Sequence, residues 1–135
     1  RRPLTVIDLD TVMPGIAAYD FGDGIRFIGS TASEDEPDIS KGSFDVGRFR
    51  AFSRGFLDGV RGSLTREEID SLVPAVFDMA VELASRFLDD YLTGDKYFRV
   101  SYPEHNAVRA RTQIALAKDV DAKSAVLTEI IRELS

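Results

Sequence analysis

The chain has 135 residues, of which 44% are hydrophobic and 30% charged, and its formal net charge is −6. This composition is typical of a globular protein with one modest hydrophobic core. The acidic balance argues against nucleic acid and membranes as partners, because nucleic acid and anionic lipid attract clustered lysines and arginines. In addition, no apolar run is long enough to span a bilayer. The absence of cysteine excludes disulfides and thiolate metal sites and is compatible with the cytoplasmic location that we expect.

The chain begins with a predicted strand over residues 4–7, where apolar and β-branched residues follow one another. Two carboxylates, Asp8 and Asp10, come directly after it. This pattern predicts a cation site, because Mg²⁺ prefers oxygen ligands and takes only one or two carboxylates from a protein. The alternative is that each aspartate only forms a turn or caps a helix. Because a strand needs partners and this sequence supplies few, we expect the chain to be part of a longer protein.

Apolar residues recur with helical spacing through the rest of the chain and predict a mainly α protein. The predicted helices cover residues 16–29, 44–60, 65–92 and 104–134. Thr65 and Glu68 have the spacing of a capping box at the start of the third helix, and Gly94 is expected to end it. The fourth is either continuous or divided near Asp119. Residues 30–42 are polar and acidic, which favours an exposed loop with solvated charges over a cation site.

The start of the chain also carries a longer pattern. Residues 6–15 (VIDLDTVMPG), then residues 19–23 (YDFGD) and Arg26, resemble the aminoglycoside phosphotransferase and choline kinase superfamily. The closest resemblance is to its N-acetylhexosamine 1-kinase branch. The superfamily pattern is a hydrophobic residue, Asp-x-Asp/Glu, a glycine, and an Asp near the start of a helix. Residues 97–111 fit as well, so the resemblance covers nearly the whole chain, but only the C-terminal part of such a kinase.

This resemblance implies a fold and a domain arrangement. The fold would be the helical C-terminal part of a protein-kinase-like α+β fold, with one short strand at its N-terminus. Residues 1–29 would form the metal-binding turn and the following helix, residues 30–43 the exposed acidic loop, and residues 44–135 a helical substrate-side subdomain. The remainder of the kinase chain, ATP and a small sugar would be its partners.

The resemblance also implies roles for the first carboxylates. Asp8 would bind Mg²⁺ on the nucleotide phosphates, Asp10 would be a further carboxylate of the metal site, and Asp20 would hold the catalytic loop through its backbone N–H groups. The catalytic loop itself, His-x-Asp-x-x-x-x-Asn, does not occur in the sequence. The catalytic base is therefore expected upstream of Arg1, and the chain alone is expected to be inactive.

Three residues match positions of sugar recognition in the hexosamine kinase branch: Phe27, Arg86 and Tyr97. Arg86 lies at the edge of an apolar stripe, where a guanidinium finds an anion or hydroxyl partner, and an ion pair with Asp89 or Asp90 is the alternative. Tyr97 offers a ring for a sugar face and a hydroxyl to bond. For Phe27 the alternative is ordinary core packing.

Other polar residues of the last helix give weaker signals. His105 is the only histidine, and without triad partners it is predicted to be a helix-start residue. Arg109, Thr112 and Gln113 form a polar patch that either borders the site or faces solvent.

The expected function is that of an ATP-dependent kinase that phosphorylates a sugar hydroxyl, most closely the anomeric hydroxyl of an N-acetylhexosamine. Residues 8–12 (DLDTV) also fit the first motif of haloacid dehalogenase-type phosphatases, with Asp8 as nucleophile and Asp10 as general acid. That fold needs repeated βα units, and no second strand is predicted. A third alternative is a non-enzymatic helical interaction module whose aspartates cap a turn.

Overall fold

A computed structural model describes residues 5, 7–10, 12–60 and 62–135. Its α-helices are α1 Ala17–Gly29, α2 Val46–Val60, α3 Arg66–Thr93, α4 His105–Ala122 and α5 Ser124–Leu134, and a short 3₁₀ helix lies at Ile39–Lys41. The prediction of a mainly α protein is thus confirmed, and the outer ends of the predicted helices differ from the observed ones by only one or two residues. The last predicted helix is divided at Lys123 rather than near Asp119.

The predicted strand at residues 4–7 is wrong at the positions that the structure describes. Thr5 and Ile7 are not in a strand, and the Ile7 side chain is 77% exposed rather than buried. Leu4 and Val6 lie outside the described residues. Across the described ranges, the only β pairing is an isolated antiparallel bridge between Ser30 and Phe44. A strand needs the N–H and C=O groups of a partner strand, so an apolar, β-branched run alone does not form one.

The hydrophobic core draws on all five helices and contains a cluster of aromatic rings. Phe21 of α1 lies 5.9, 5.6 and 5.1 Å, between ring centroids, from Phe49, Phe52 and Phe56 of α2. Such aromatic pairs add about 0.5–1.5 kcal/mol each beyond the burial of their area. Gly22, next to Phe21, lets α1 approach α3 closely, because a Cβ there would lie 2.6 Å from the carbonyl oxygen of Ala75.

The ends of α3 have the capping signals that the sequence predicts. The Glu68 N–H donates to Thr65 Oγ1 and the Thr65 N–H donates to the Glu68 carboxylate, so the capping box is confirmed. Gly94 ends the helix in the left-handed conformation, with φ of 95°. The long α3 packs antiparallel on α4, since Phe87 contacts Arg109 and Asp90 contacts Asn106. This pairing brings the C-terminal end of α3 to the start of α4.

The acidic segment 30–42 is a loop, as predicted, but its charges are not all solvated. Glu34 and Glu36 are half-buried. The Thr112 hydroxyl of α4 donates to the Glu36 carbonyl oxygen at 3.1 Å, and Asp35 Oδ2 lies 3.3 Å from His105 Nε2. These two contacts hold the loop against α4.

None of the helices in the described part of the chain combines the length and apolarity that crossing a bilayer requires.

Asp119 of α4 binds the segment that precedes α2. Its Oδ2 accepts hydrogen bonds from the Lys123 ammonium at 2.6 Å, the Phe44 N–H at 2.6 Å and the Ser43 hydroxyl at 3.1 Å. Burial raises the pKa of Asp119, but Lys123 and the N–H and hydroxyl donors outweigh burial and hold this pKa below its usual 3.8. A carboxyl whose pKa is lower in the folded state stabilises the fold at neutral pH, and this contribution is lost as the pH falls through the folded-state pKa.

We therefore expect Asp119→Asn to melt at a lower temperature than the wild type at pH 7, and the difference to shrink as the pH falls below about 4, near the unfolded pKa of an aspartate. The measurement is thermal unfolding of both chains between pH 7 and pH 3. A difference in melting temperature that does not change with pH would contradict the assignment to the charge of Asp119.

Candidate functional site

The C-terminal end of α3 and the segment 95–98 enclose an open depression with a cavity volume of about 330 Å³. Its walls are formed by Arg86, Asp89, Asp90, Thr93, Lys96, Tyr97 and Phe98. The volume lies at the small end of ligand pockets, which span about 300–1,000 Å³. Two of the three predicted sugar-recognition residues are among its walls.

Arg86 and Tyr97 touch each other at this depression. Arg86 Nη2 donates a hydrogen bond to the Tyr97 hydroxyl at 3.3 Å, and the guanidinium carbon lies 5.5 Å from the ring centroids of both Tyr97 and Phe98. Arg86 forms its ion pair with Glu82, at 3.7 Å on the same helix, and not with Asp89 or Asp90 as the alternative proposed. The Tyr97 side chain is 74% exposed, so a ring and a guanidinium stand together at the surface.

Asp90 holds the segment that carries Tyr97. The residue is only 4% exposed. Its Oδ1 accepts the N–H groups of Lys96 and Tyr97, both at 2.8 Å, and its Oδ2 accepts the Phe98 N–H at 2.9 Å. Burial raises the pKa of Asp90, but the N–H groups of Phe98, Tyr97 and Lys96 and the Asn106 amide outweigh it and hold this pKa below its usual value.

At the level of sequence, Asp90 is only a possible ion-pair partner of Arg86. A signal for its role is nevertheless present in the sequence. Asp90 lies in the last turn of α3, where a carboxylate is unfavourable because it faces the negative end of the helix dipole. A buried acid at that position needs donors from elsewhere, and the segment after Gly94 supplies them.

Phe27, the third predicted sugar residue, borders a different depression of about 300 Å³ between α1, the acidic loop and α4. Its side chain is 70% exposed, so the core-packing alternative is wrong. Beside it, the buried Arg26 reaches Asp23 at 2.7 Å, Gln113 at 3.3 Å and Glu34 at 3.7 Å. Arg86 and Tyr97 are thus in contact at one depression, whereas Phe27 borders the other.

The predicted metal carboxylates, Asp8 and Asp10, are both exposed. Asp8 has a φ of 65°, in the left-handed region that few non-glycine residues adopt and in which Asp and Asn are enriched. Such backbone conformations cluster at functional sites. The residues that the structure describes contain no cluster of three or more acidic or histidine side chains that could hold a metal. Mg²⁺ takes only one or two carboxylates from a protein, and the role of Asp8 and Asp10 in holding it stays a prediction.

The remaining predicted residues have defined places. Asp20 lies exposed in the first turn of α1, where the helix dipole favours an acid, and its role toward a catalytic loop stays a prediction. His105 is the first residue of α4, as predicted, but it is buried. Its Nδ1 accepts the Ser101 N–H at 3.1 Å. Thr112 and Gln113 are also buried, so this part of the polar patch does not face solvent.

A comparison of the sequence with models of known protein families finds no match. The fold and the site define a helical domain with a small surface depression that combines aromatic, cationic and carboxylate side chains. Because one fold hosts many functions, the chemistry of this depression bears on the function more directly than the helical fold does.

Proposed function

We propose that this chain is the substrate-side part of an ATP-dependent kinase that phosphorylates a sugar hydroxyl, most closely the anomeric hydroxyl of an N-acetylhexosamine. The contact of Arg86 with Tyr97 at an open depression carries the proposal. The resemblance to the hexosamine kinase branch implies sugar recognition by these two residues, and their side chains meet although they are 11 positions apart.

The chemistry of the depression suits a pyranose ring. A sugar presents an apolar C–H face that packs on an exposed aromatic ring, and Tyr97 offers such a ring. A guanidinium has five N–H donors, and the contacts described for Arg86, with Tyr97 and Glu82, leave others for sugar hydroxyls. Asp89 is exposed at the same depression and can accept hydrogen bonds from hydroxyl groups.

The second half of the proposal concerns phosphoryl transfer, in which enzymes mainly position the reactants and neutralise charge. Asp8 and Asp10 would hold Mg²⁺, which when bound neutralises charge on the nucleotide phosphates. The residues of the sugar depression bind and orient the acceptor hydroxyl. No His-x-Asp-x-x-x-x-Asn motif is present to provide a base, so we expect the 135 residues to bind sugar without releasing ADP from MgATP.

The first test is sugar binding by the isolated chain. Titration with N-acetylglucosamine or N-acetylgalactosamine, followed by ¹H–¹⁵N spectra, should shift the amide signals of Lys96, Tyr97 and Phe98. Because one aromatic or charged contact contributes about 1 kcal/mol, Tyr97→Ala and Arg86→Ala should each weaken binding about fivefold to tenfold.

The matched control is Arg66→Ala, which removes an exposed arginine paired with Asp70 at the opposite end of α3. This variant should bind sugar like the wild type. Absence of any shift at the depression with either sugar at tens of millimolar would contradict the proposed substrate. ADP release by the isolated chain would contradict the expectation that the base lies outside these residues.

The phosphatase alternative gains no support from the fold. Haloacid dehalogenase-type phosphatases build their site on repeated βα units, whereas residues 12–60 and 62–135 form helices joined by loops, with one isolated β bridge.

A further inference from the structure

The segment that carries the aromatic wall of the depression has no regular secondary structure. Residues 95–98 lie between α3 and α4 and belong to neither helix. Surface loops of this kind are usually the mobile parts of a protein. Here three consecutive backbone N–H groups, those of Lys96, Tyr97 and Phe98, are donated to the single buried carboxylate of Asp90.

Asn106 of α4 completes this arrangement from the opposite side. It is fully buried, and its Nδ2 donates to Asp90 Oδ2 and to Asp95 Oδ1, both at 2.9 Å. Its Oδ1 accepts from Arg109 Nη1 at 3.0 Å, and the same Nη1 donates to the Arg99 carbonyl oxygen at 3.2 Å. Each oxygen of Asp90 therefore accepts two hydrogen bonds, which is the full capacity of a carboxylate.

Such a network fixes geometry because partial satisfaction is costly. A buried polar group that loses its partner keeps the cost of desolvation without the compensating hydrogen bond. Without the carboxylate of Asp90, the three N–H groups would have to turn toward water, and the Tyr97 ring would move away from Arg86. Phe98 also packs on Phe87 with ring centroids 4.6 Å apart. This apolar contact keeps the segment attached to α3 even when its precise backbone position is lost.

We propose that Asp90, oriented by Asn106, is the positioning residue of the depression and sets Tyr97 against Arg86 for sugar binding. The identity of the ligand rests on the proposed function, whereas the ordering of residues 96–98 does not. Asp90 acts through the backbone of Tyr97, so its effect on affinity depends on the presence of the Tyr97 ring.

The test uses Asp90→Asn in the isolated chain, because an Asn side-chain nitrogen cannot accept the hydrogen bonds that one carboxylate oxygen accepts. Amide hydrogen exchange should accelerate at least about tenfold at the N–H groups that faced the replaced oxygen, either Phe98 or both Lys96 and Tyr97, since these groups lose their acceptor. The nuclear Overhauser contact between the Tyr97 ring and the Arg86 side chain should weaken. Affinity for N-acetylglucosamine should fall about tenfold, while far-ultraviolet circular dichroism stays helical.

Two further variants separate positioning from general stability. Asp78→Asn changes an exposed carboxylate on the same helix and should leave exchange and affinity unchanged. In a Tyr97→Ala chain, Asp90→Asn should cause no further loss of affinity, because the ring through which it acts is gone. A full additional loss in the double variant would show that Asp90 acts only through stability and would overturn the proposal.

If Asp90→Asn does not fold, Asn106→Ala replaces it, because Asp90 then keeps its three backbone donors. Exchange at residues 96–98 should then rise by a smaller factor. Unchanged exchange at these amides in whichever of the two variants folds overturns the inference, whatever the ligand. Faster exchange in a chain that binds neither sugar in its wild-type form upholds the positioning role of Asp90 and instead contradicts the proposed function.

Discussion

In the kinase that we propose contains this chain, Asp8→Asn is expected to lower the rate of phosphoryl transfer about 10³-fold or more. The reason is that a bound cation supplies several kcal/mol of charge stabilisation. Asparagine is the appropriate replacement for a structural reason. Asp8 has a φ of 65°, and Asn tolerates this left-handed conformation while removing the negative charge. The backbone should therefore keep its path, and the rate change should report the loss of the metal ligand. The measurement is ADP release with MgATP and an N-acetylhexosamine.

The neighbouring carboxylate provides the graded comparison. If Asp10 only supports the metal site, Asp10→Asn should lower the rate by about 10–100-fold, the usual effect of an outer partner of a metal ligand. Wild-type turnover in Asp8→Asn would contradict the metal assignment. If the wild type instead hydrolyses phosphate monoesters without ATP and Asp8→Asn abolishes that hydrolysis, Asp8 is the nucleophile of the phosphatase alternative.

Some elements of the fold follow from local chemistry and could be predicted. The limits of α3 are an example, because Thr65 and Glu68 satisfy each other's backbone groups and Gly94 adopts the left-handed conformation that ends a helix. The strand predicted at residues 4–7 is wrong at its described positions, because a strand depends on more than local chemistry. Its apolar, β-branched residues have the propensity for a strand, but pairing depends on a partner elsewhere in the chain.

The division between α4 and α5 shows how distant contacts set a boundary. No Gly or Pro lies between residues 104 and 134 to mark it. At the division, the Lys123 ammonium donates to the carbonyl oxygen of Phe44, which precedes α2, and to Asp119 of α4, which itself accepts the Phe44 N–H. A sequence pattern confined to one helix cannot contain this information.

The candidate site likewise contains residues that the sequence indicates and one that only the structure reveals. Resemblance selected Arg86 and Tyr97, and their side chains are in contact. It also selected Phe27, which borders another depression. The partners of Asp90 are not visible in the sequence, because its carboxylate accepts hydrogen bonds from backbone N–H groups, which every residue except proline carries. Asp89 and Asp90 both lie near the C-terminal end of α3, where an acid is unfavourable, and it is burial in the fold that distinguishes Asp90 from the exposed Asp89.

Gly22→Ala is expected to cause a large loss of stability for a change of a single methyl group. The new Cβ would lie 2.6 Å from the carbonyl oxygen and 2.8 Å from the carbonyl carbon of Ala75 in α3. These are backbone atoms of a long packed helix, so relief requires α1 to move away from α3. That movement would also loosen the packing of Phe21 and Ile25, which are fully buried on α1.

The expected size follows from two opposing effects. Overpacking of this kind costs about 1–3 kcal/mol or more, whereas replacing Gly by Ala within a helix stabilises it by about 1 kcal/mol. Because the clash is with backbone and not with a mobile side chain, we expect the upper part of the overpacking range to apply. The net result should be a decrease of about 2 kcal/mol in the free energy of unfolding, measured by urea denaturation.

Gly55→Ala is the matched control, because it makes the same chemical change within α2 at a position where a Cβ would meet no atom within 4 Å. With no clash to oppose the gain in helix propensity, this variant should be more stable than the wild type by up to about 1 kcal/mol. The two substitutions should therefore move the urea midpoint in opposite directions. If Gly22→Ala also raises the midpoint, α1 and α3 are not in the close contact described here, and the core around Phe21 must be arranged differently.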